Sequence, residues 1–320
     1  MNVNEELADK AVGHAVDMAA YSNEVVRRMI ALLNRSDARL FFELTQALER
    51  MTPATFSVQR LEDLLVSVRQ LNAQAYAQIG EEMSAEVRKL VDYEAGYQLA
   101  LFNASIPPQV IASVGVAEVN VEQVYAAAMS RPFQGRLLRE WASSIEAGRM
   151  TRIRDTVRQG FIEQQTTDQI VRRIRGTKAK GYSDGVIEID RRGAEAVVRT
   201  AISHTAGFTR DRFYDANTDL IKAVQWVSTL DTRTSEPCRI RDNLRYQPVD
   251  HRPIGHAIPW LGGPGRLHWN CRSSSVPITK SWRELSVNID EFSPTTRASM
   301  DDLGSVAIAR LINKPLKQLS

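Results

Sequence analysis

Cysteine is almost absent from this chain: 320 residues contain two, Cys238 and Cys271. Two thiols cannot form a disulfide framework, and a chain of this length buries a core without such staples. Long hydrophobic runs are also lacking. No stretch reaches the roughly 18 apolar residues of a membrane-spanning helix, so none is expected. Nor is there an excess of one charge. Lys and Arg number 41 against 38 Asp and Glu, and a net charge of +3 is too small to imply a nucleic-acid partner by itself. The start, Met1-Asn2-Val3-Asn4-Glu5-Glu6, is acidic and polar, unlike a secretory signal, which leads to an expectation of folding in a cytoplasm. The remaining composition, 43% hydrophobic and 25% charged, is that of an ordinary globular protein with one large or two medium domains.

The scarce residues are gathered in one place. Residues 226–278 hold both cysteines, three of the five histidines (His251, His256, His268), three of the five tryptophans (Trp226, Trp260, Trp269) and half of the prolines. Such a concentration marks an irregular loop that has to be pinned. Alternating apolar positions at Val224 and Trp226 predict a half-buried strand entering it, and Val276-Pro277-Ile278 an apolar exit. The Pro/Gly-rich run 248–265 is predicted to lack regular structure, because proline has no amide donor and glycine costs backbone entropy.

Three closures of this loop fit the residue types. One is a metal: Cys238, His268 and Cys271 offer soft or borderline ligands, His268-x2-Cys271 has finger-like spacing, and His251 or His256 would complete a tetrahedral zinc site. A second is a Cys238–Cys271 disulfide, which a cytosolic setting disfavours. The third is close packing of two small buried thiols and hydrogen-bonded histidines.

Upstream, the pattern is helical. Apolar residues recur at spacings of three and four from Ala11 to Leu33. Asn34-Arg35-Ser36 is predicted to break this helix, with Ser36 or Asp37 capping the next; Met51-Thr52-Pro53 is a second break. Ser57 begins a third helix, and Gly80 or Ser84 would separate it from a fourth. Ile106-Pro107-Pro108 is a helix stop, followed by a linker carrying a short helix near Val110–Val114. Arg131-Pro132 interrupts a later helix, Gln165-Thr166-Thr167-Asp168 reads as a turn and cap, and Gly176 as a stop. A helix starting at Asp190 runs past His204, read as a satisfied structural histidine, to Asn217. The helical first third reads as a bundle with one docking face.

Between Arg131 and Phe213 there are 17 Lys and Arg against 10 Asp and Glu, an excess of 17 − 10 = 7, so the rest of the chain is net acidic (3 − 7 = −4). Arg172, Arg173, Arg175, Lys178 and Lys180 are the densest part. They fit either a solvated helix face or contact with DNA phosphates or an acidic protein surface.

The pattern Trp226-x-Ser228-Thr229-Leu230-Asp231-x-Arg233-Thr234-x3-Cys238, with Arg241-Asp242 and Tyr246 following and then His268-x-Asn270-Cys271-Arg272-Ser273, resembles the phage Mu F-like minor head protein family. Val198-Arg199-Thr200 upstream and Phe292-Ser293-Pro294 with Arg297-Ala298-Ser299-Met300-Asp301 downstream extend the resemblance over about residues 151–302. The chain departs from the family at Ser235, where many members carry the first cysteine of Cys-x2-Cys, which removes a metal ligand.

The resemblance implies a virion structural protein, assembled in the host bacterial cytoplasm, that acts at or near the portal in head morphogenesis, DNA packaging or DNA ejection. Its partners would be portal and other head or neck proteins, with non-specific DNA contact, and its cofactor at most a structural zinc. Trp226, Asp231, Arg233, Asn270 and Arg272 would then be motif residues that brace the loop. The family is also distantly likened to ADP-ribosyltransferases. Arg199, Ser228 and Thr229 match two of their elements, but no glutamate stands in the expected arrangement after Cys238, so the expectation is a non-enzyme. The expected fold is α+β and mostly helical: N-terminal long-helix hairpins or a bundle, plus a small C-terminal α+β domain with the Pro/Trp/Cys/His-rich loop. The expected partition is a docking region over 1–105, a basic helical linker over 106–180, the Mu F-like domain over 181–302 and a basic tail over 303–320.

Overall fold

The computed structural model describes residues 2–51, 55–285 and 293–299. Within them the chain is α+β and mostly helical, as expected, and forms two compact units, each assembled from distant stretches of sequence. One comprises residues 1–22, 87–134 and 200–320, and the other residues 23–86 and 135–199. No helix among the described residues is long and apolar enough to cross a membrane.

The second unit is helical. It contains most of α1 (Val3–Glu49), α2 (Val58–Leu64), the first half of α3 (Val66–Ser105), α6 (Leu138–Ile162), α7 (Thr167–Arg175) and the start of α8 (Glu188–Ala216). The break expected at Asn34–Ser36 does not occur. Leu33, Leu40, Leu44 and Leu48 continue one buried stripe through it. Asp37 does not cap a helix but lies buried inside one, where it pairs with Arg149 of α6 and, at 2.7 Å, with Arg191 of α8. Likewise α3 runs unbroken through Gly80 and Ser84. A Cβ on Gly80 would stand 3.9 Å from Ala142 of α6, and the Ser84 hydroxyl donates back to the Gly80 carbonyl at 2.8 Å.

The expected turn at Gln165–Asp168 is present. Thr166 caps α7 in a capping box with Gln169, and Ile170 of α7 sits on Gly160 of α6 so closely that a Cβ there would lie 2.5 Å from its Cγ1. Ile170 and Ile174 join Leu40, Phe41, Leu44, Leu61, Leu65, Ile153 and Val157 in this unit's core. Val186–Ile189 leads into α8 and is not extended.

The first unit holds the sheet. Its helical parts are the opening turns of α1, the end of α3, α4 (Pro108–Val114), α5 (Val121–Ser130) and the rest of α8. Four antiparallel strands stand in the order β3-β2-β1-β4: β1 Ile221–Val227, β2 Arg245–Tyr246, β3 Pro253–Ile254 and β4 Ser274–Thr279. Strand β3 is the one regular element in the run 248–265, which otherwise consists of turns and irregular backbone as predicted.

Both faces of the sheet are covered. Ala223 and Val227 with Val276 and Ile278 pack on Ala8 and Ala11 of α1. Val224 and Trp226 face Leu7, Phe102, Phe213, Tyr246 and Trp260 on the other side. Asn4 ties the start of α1 to β4 by accepting from the Thr279 amide (2.9 Å) and hydroxyl (3.0 Å). Beyond β4, α10 spans Trp282–Leu285 and α11 Pro294–Ser299. Phe292, Met300, Asp301 and the tail 303–320 lie outside the described residues.

Candidate functional site

Strand β1 delivers Trp226 into the core with no exposed surface, and the loop beyond it is built on that indole. The indole N–H donates to Ser228 Oγ at 3.0 Å, and the Ser228 hydroxyl donates to the Cys238 carbonyl at 2.8 Å. The Ser228 amide donates to Asp242 at 2.8 Å. Arg241, buried over the Trp226 ring, donates to the carbonyls of Pro259 (2.9 Å) and Pro237 (2.6 Å). Trp226, Tyr246 and His251 all contact the Trp260 ring, with centroids 5.3, 4.8 and 4.6 Å away. Proline removes backbone donors in this segment, so an arginine and aromatic faces hold it where a ladder of amides cannot.

The outer turn is braced separately. Asp231 accepts two bonds from the Arg272 guanidinium, at 2.6 and 2.7 Å, and a third from the Arg233 amide at 2.9 Å. The fork from Arg272 holds the Asp231 carboxyl well below the usual carboxylate range. Arg233 itself is exposed and contributes its amide; its guanidinium stands 3.9 Å from Asp231. Asn270 takes a left-handed conformation (φ 55°) and its amide donates to Thr200 of α8 at 3.1 Å.

Between these braces, Cys238, His268 and Cys271 converge, with their ligand atoms all within 4.8 Å of one another. Cys238 Sγ is 3.7 Å from Cys271 Sγ and 3.2 Å from His268 Nε2. The sulfur separation is far beyond the ~2.05 Å of a disulfide, and both thiols are free. Zinc–sulfur bonds of about 2.3 Å at a tetrahedral angle would place two sulfurs about 3.8 Å apart, close to the observed spacing.

The surroundings suit a metal as well. His268 Nδ1 lies 2.8 Å from the Trp269 carbonyl and must donate to it, so the Nε2 lone pair faces the sulfurs. The Cys271 thiol is drawn down to about 6 by the hydrogen bond from Cys238 and, against its burial, by the amides of Ser273, Leu267 and Gly265. The Cys238 thiol is pushed up by that same bond and by burial. Gly265 has φ 76°, and a Cβ there would meet the Ser203 carbonyl at 3.0 Å, so glycine lets this amide approach the sulfur.

His251 stands outside this group. It stacks on Trp260, with Nε2 3.7 Å from Asp211. His256 is also occupied, accepting from the Ile258 amide (3.2 Å) and donating to the Arg245 carbonyl (2.9 Å). Ser235 is the side chain that does join the group, with its hydroxyl 2.8 Å from His268 Nε2. The i, i+3 spacing of Ser235 and Cys238 was the available signal for it. Ser228 stood out in the sequence as a motif residue, but its relay from the Trp226 indole to the Cys238 carbonyl carried no local signal.

Of the basic residues, Arg173 pairs with Glu163 at 2.8 Å, Arg175 lies over the Tyr182 and Phe41 rings, Lys180 is 4.0 Å from Asp184, and Arg172 and Lys178 are exposed. His204, expected to be satisfied, finds no hydrogen-bond partner at either ring nitrogen among the described residues. Burial, then the charges of Arg266 and Arg131, push its pKa down to about 4, so it is neutral. Arg199 pairs with Glu195 at 3.2 Å, and Thr229 donates to the Arg272 carbonyl at 3.2 Å.

No curated protein and no solved structure matches the chain at a significant level. Residues 151–276 match the family model described as Phage Mu protein F like protein. That span runs from within α6 into β4 and takes in α7, α8 and the braced loop, and over it the chain is similar to the Mu F-like proteins of phages.

Proposed function

We propose that this protein is a structural component of a phage head, a minor head protein that works at or near the portal in head assembly, DNA packaging or DNA ejection. The observation that carries this reading is the family match over a segment whose polar side chains are turned on one another. Ser228 and Thr229 bond to backbone carbonyls within the loop, and Arg199 pairs with Glu195 on its own helix. The groups that would serve an ADP-ribosyltransferase are thus engaged in structural bonds, which favours a scaffold over an enzyme. Within the scaffold, Cys238, His268 and Cys271 hold a structural zinc ion, which joins the two ends of the loop and adds its binding energy to folding. Exposed cations on and after α7 give non-specific contact with DNA phosphates, alongside docking to portal and other head or neck proteins.

Gradient-purified virions of a phage that carries this gene test the proposal. Quantitative mass spectrometry is expected to find the chain in the particles, at far lower copy than the major capsid protein. Its absence from both virions and assembly intermediates would overturn the reading.

A further inference from the structure

Three ligands leave a tetrahedral zinc ion one corner short, and neither His251 nor His256 is placed to fill it. We propose that Ser235 Oγ is the fourth ligand, so that this chain closes its clasp with two sulfurs, one nitrogen and one oxygen. The inference rests on the zinc reading above and adds to it the identity of the remaining corner.

Four observations point to Ser235. Its hydroxyl stands 2.8 Å from the nitrogen that faces the sulfurs, and it also hydrogen-bonds Cys238. It occupies the N-cap position of the short helix α9 (Glu236–Arg239), where a serine side chain ordinarily accepts from the helix amides. Here the backbone has the usual extended cap conformation (φ −67°, ψ 149°), but the side chain makes no cap bond and is turned to the metal ligands. The Cys238 amide donates to the Ser235 carbonyl at 3.1 Å, closing a tight turn that brings side chains i and i+3 to the same side. Finally, Ser235 and His268 are half-buried while both cysteines are buried, so the oxygen corner is the one that opens toward solvent.

The charge balance is consistent. Two thiolates neutralise Zn²⁺, and a neutral imidazole and a neutral hydroxyl complete the shell without added charge. An oxygen in place of a third sulfur also makes the site a weaker and more exchangeable holder of zinc than a three-cysteine site.

Cobalt(II), which reports its ligands through absorption, tests the assignment on the full chain, stripped of metal and reduced. Wild type, Ser235→Ala and Ser235→Cys are titrated with Co²⁺, followed by competition with Zn²⁺. Wild type is expected to bind about one Co²⁺ with a four-coordinate spectrum. Ser235→Cys is expected to raise the thiolate-to-cobalt charge-transfer band by about half, as two sulfurs become three, and to tighten zinc binding by at least roughly 100-fold. Ser235→Ala is expected to weaken zinc binding by roughly 10-fold and to alter the ligand-field bands. If wild type binds cobalt but both variants leave the spectrum and affinity unchanged, Ser235 is not a ligand and the zinc reading stands alone. If wild type binds neither metal, both readings fall.

Discussion

Glu94 offers the sharpest test of how the sheet-bearing unit is held together. It has no exposed surface, and it accepts from His14 Nε2 at 2.7 Å, Gln98 at 2.9 Å and Arg210 Nε at 3.1 Å. Arg210, itself buried, also donates to Ser274 of β4, so one carboxylate links α1, α3, α8 and the sheet. Burial alone would raise the Glu94 pKa. The Arg210 charge and the bonds from His14 and Gln98 outweigh it and bring the value from 4.5 down to about 2.

A carboxylate depressed on folding stabilises the native state above its unfolded pKa, and that stability is lost as pH falls through the folded pKa. The displacement corresponds to about 3 kcal/mol, present at neutral pH and lost progressively from about pH 4.5 to about pH 2. Glu94→Gln removes the charge and leaves Arg210 buried without its counterion, which costs about 3–5 kcal/mol. Urea denaturation followed by circular dichroism, at pH 7 and at steps down to pH 3, measures both effects. The variant is expected to be destabilised by that amount at pH 7 and to converge on wild type as pH falls. A loss below about 1 kcal/mol, with the acid dependence unchanged, would refute the account of this network.

Two further outcomes follow from other parts of the molecule. Gly160→Ala places a methyl within 2.5 Å of Ile170 Cγ1 and is expected to cost about 1–3 kcal/mol; Gly193→Ala, which meets nothing within 4 Å on α8, is expected to gain up to about 1 kcal/mol, and thermal melts of the two should move in opposite directions. Replacing the exposed Arg172 and Lys178 together by alanine is expected to flatten the salt dependence of duplex DNA binding by about 2 in log–log slope, whatever the sequence; an unchanged slope in fluorescence titrations would remove these residues from the DNA contact.

Local chemistry made much of the fold legible. Pro107 and Pro108 stop α3, Thr166 and Gln169 cap α7, and the apolar alternation at Val224 and Trp226 marks β1. What misled was the partner from far along the chain. Asn34-Arg35-Ser36-Asp37 has the residues of a break and cap, yet Asp37 meets Arg149 and Arg191, 112 and 154 residues away, and the helix continues. Gly80 looks like a separator and instead lies inside an unbroken α3, in ordinary packing range of Ala142. At the candidate metal centre, spacing brought Cys238, His268 and Cys271 together on the page, but it carried no means of choosing the fourth member. His251 has the better ligand chemistry, but its ring is held by Trp260 and Asp211, whereas the tight turn before Cys238 presents Ser235.

The central claim is that the loop between β1 and β4 is a clasp closed on a metal by Cys238, His268 and Cys271. Elemental analysis of the protein purified without chelators tests it most directly, with the same preparation melted before and after chelation. The account predicts about one zinc per chain and a lower melting temperature once the metal is removed. A folded, metal-free protein whose melting temperature does not respond to zinc or to chelator would contradict it.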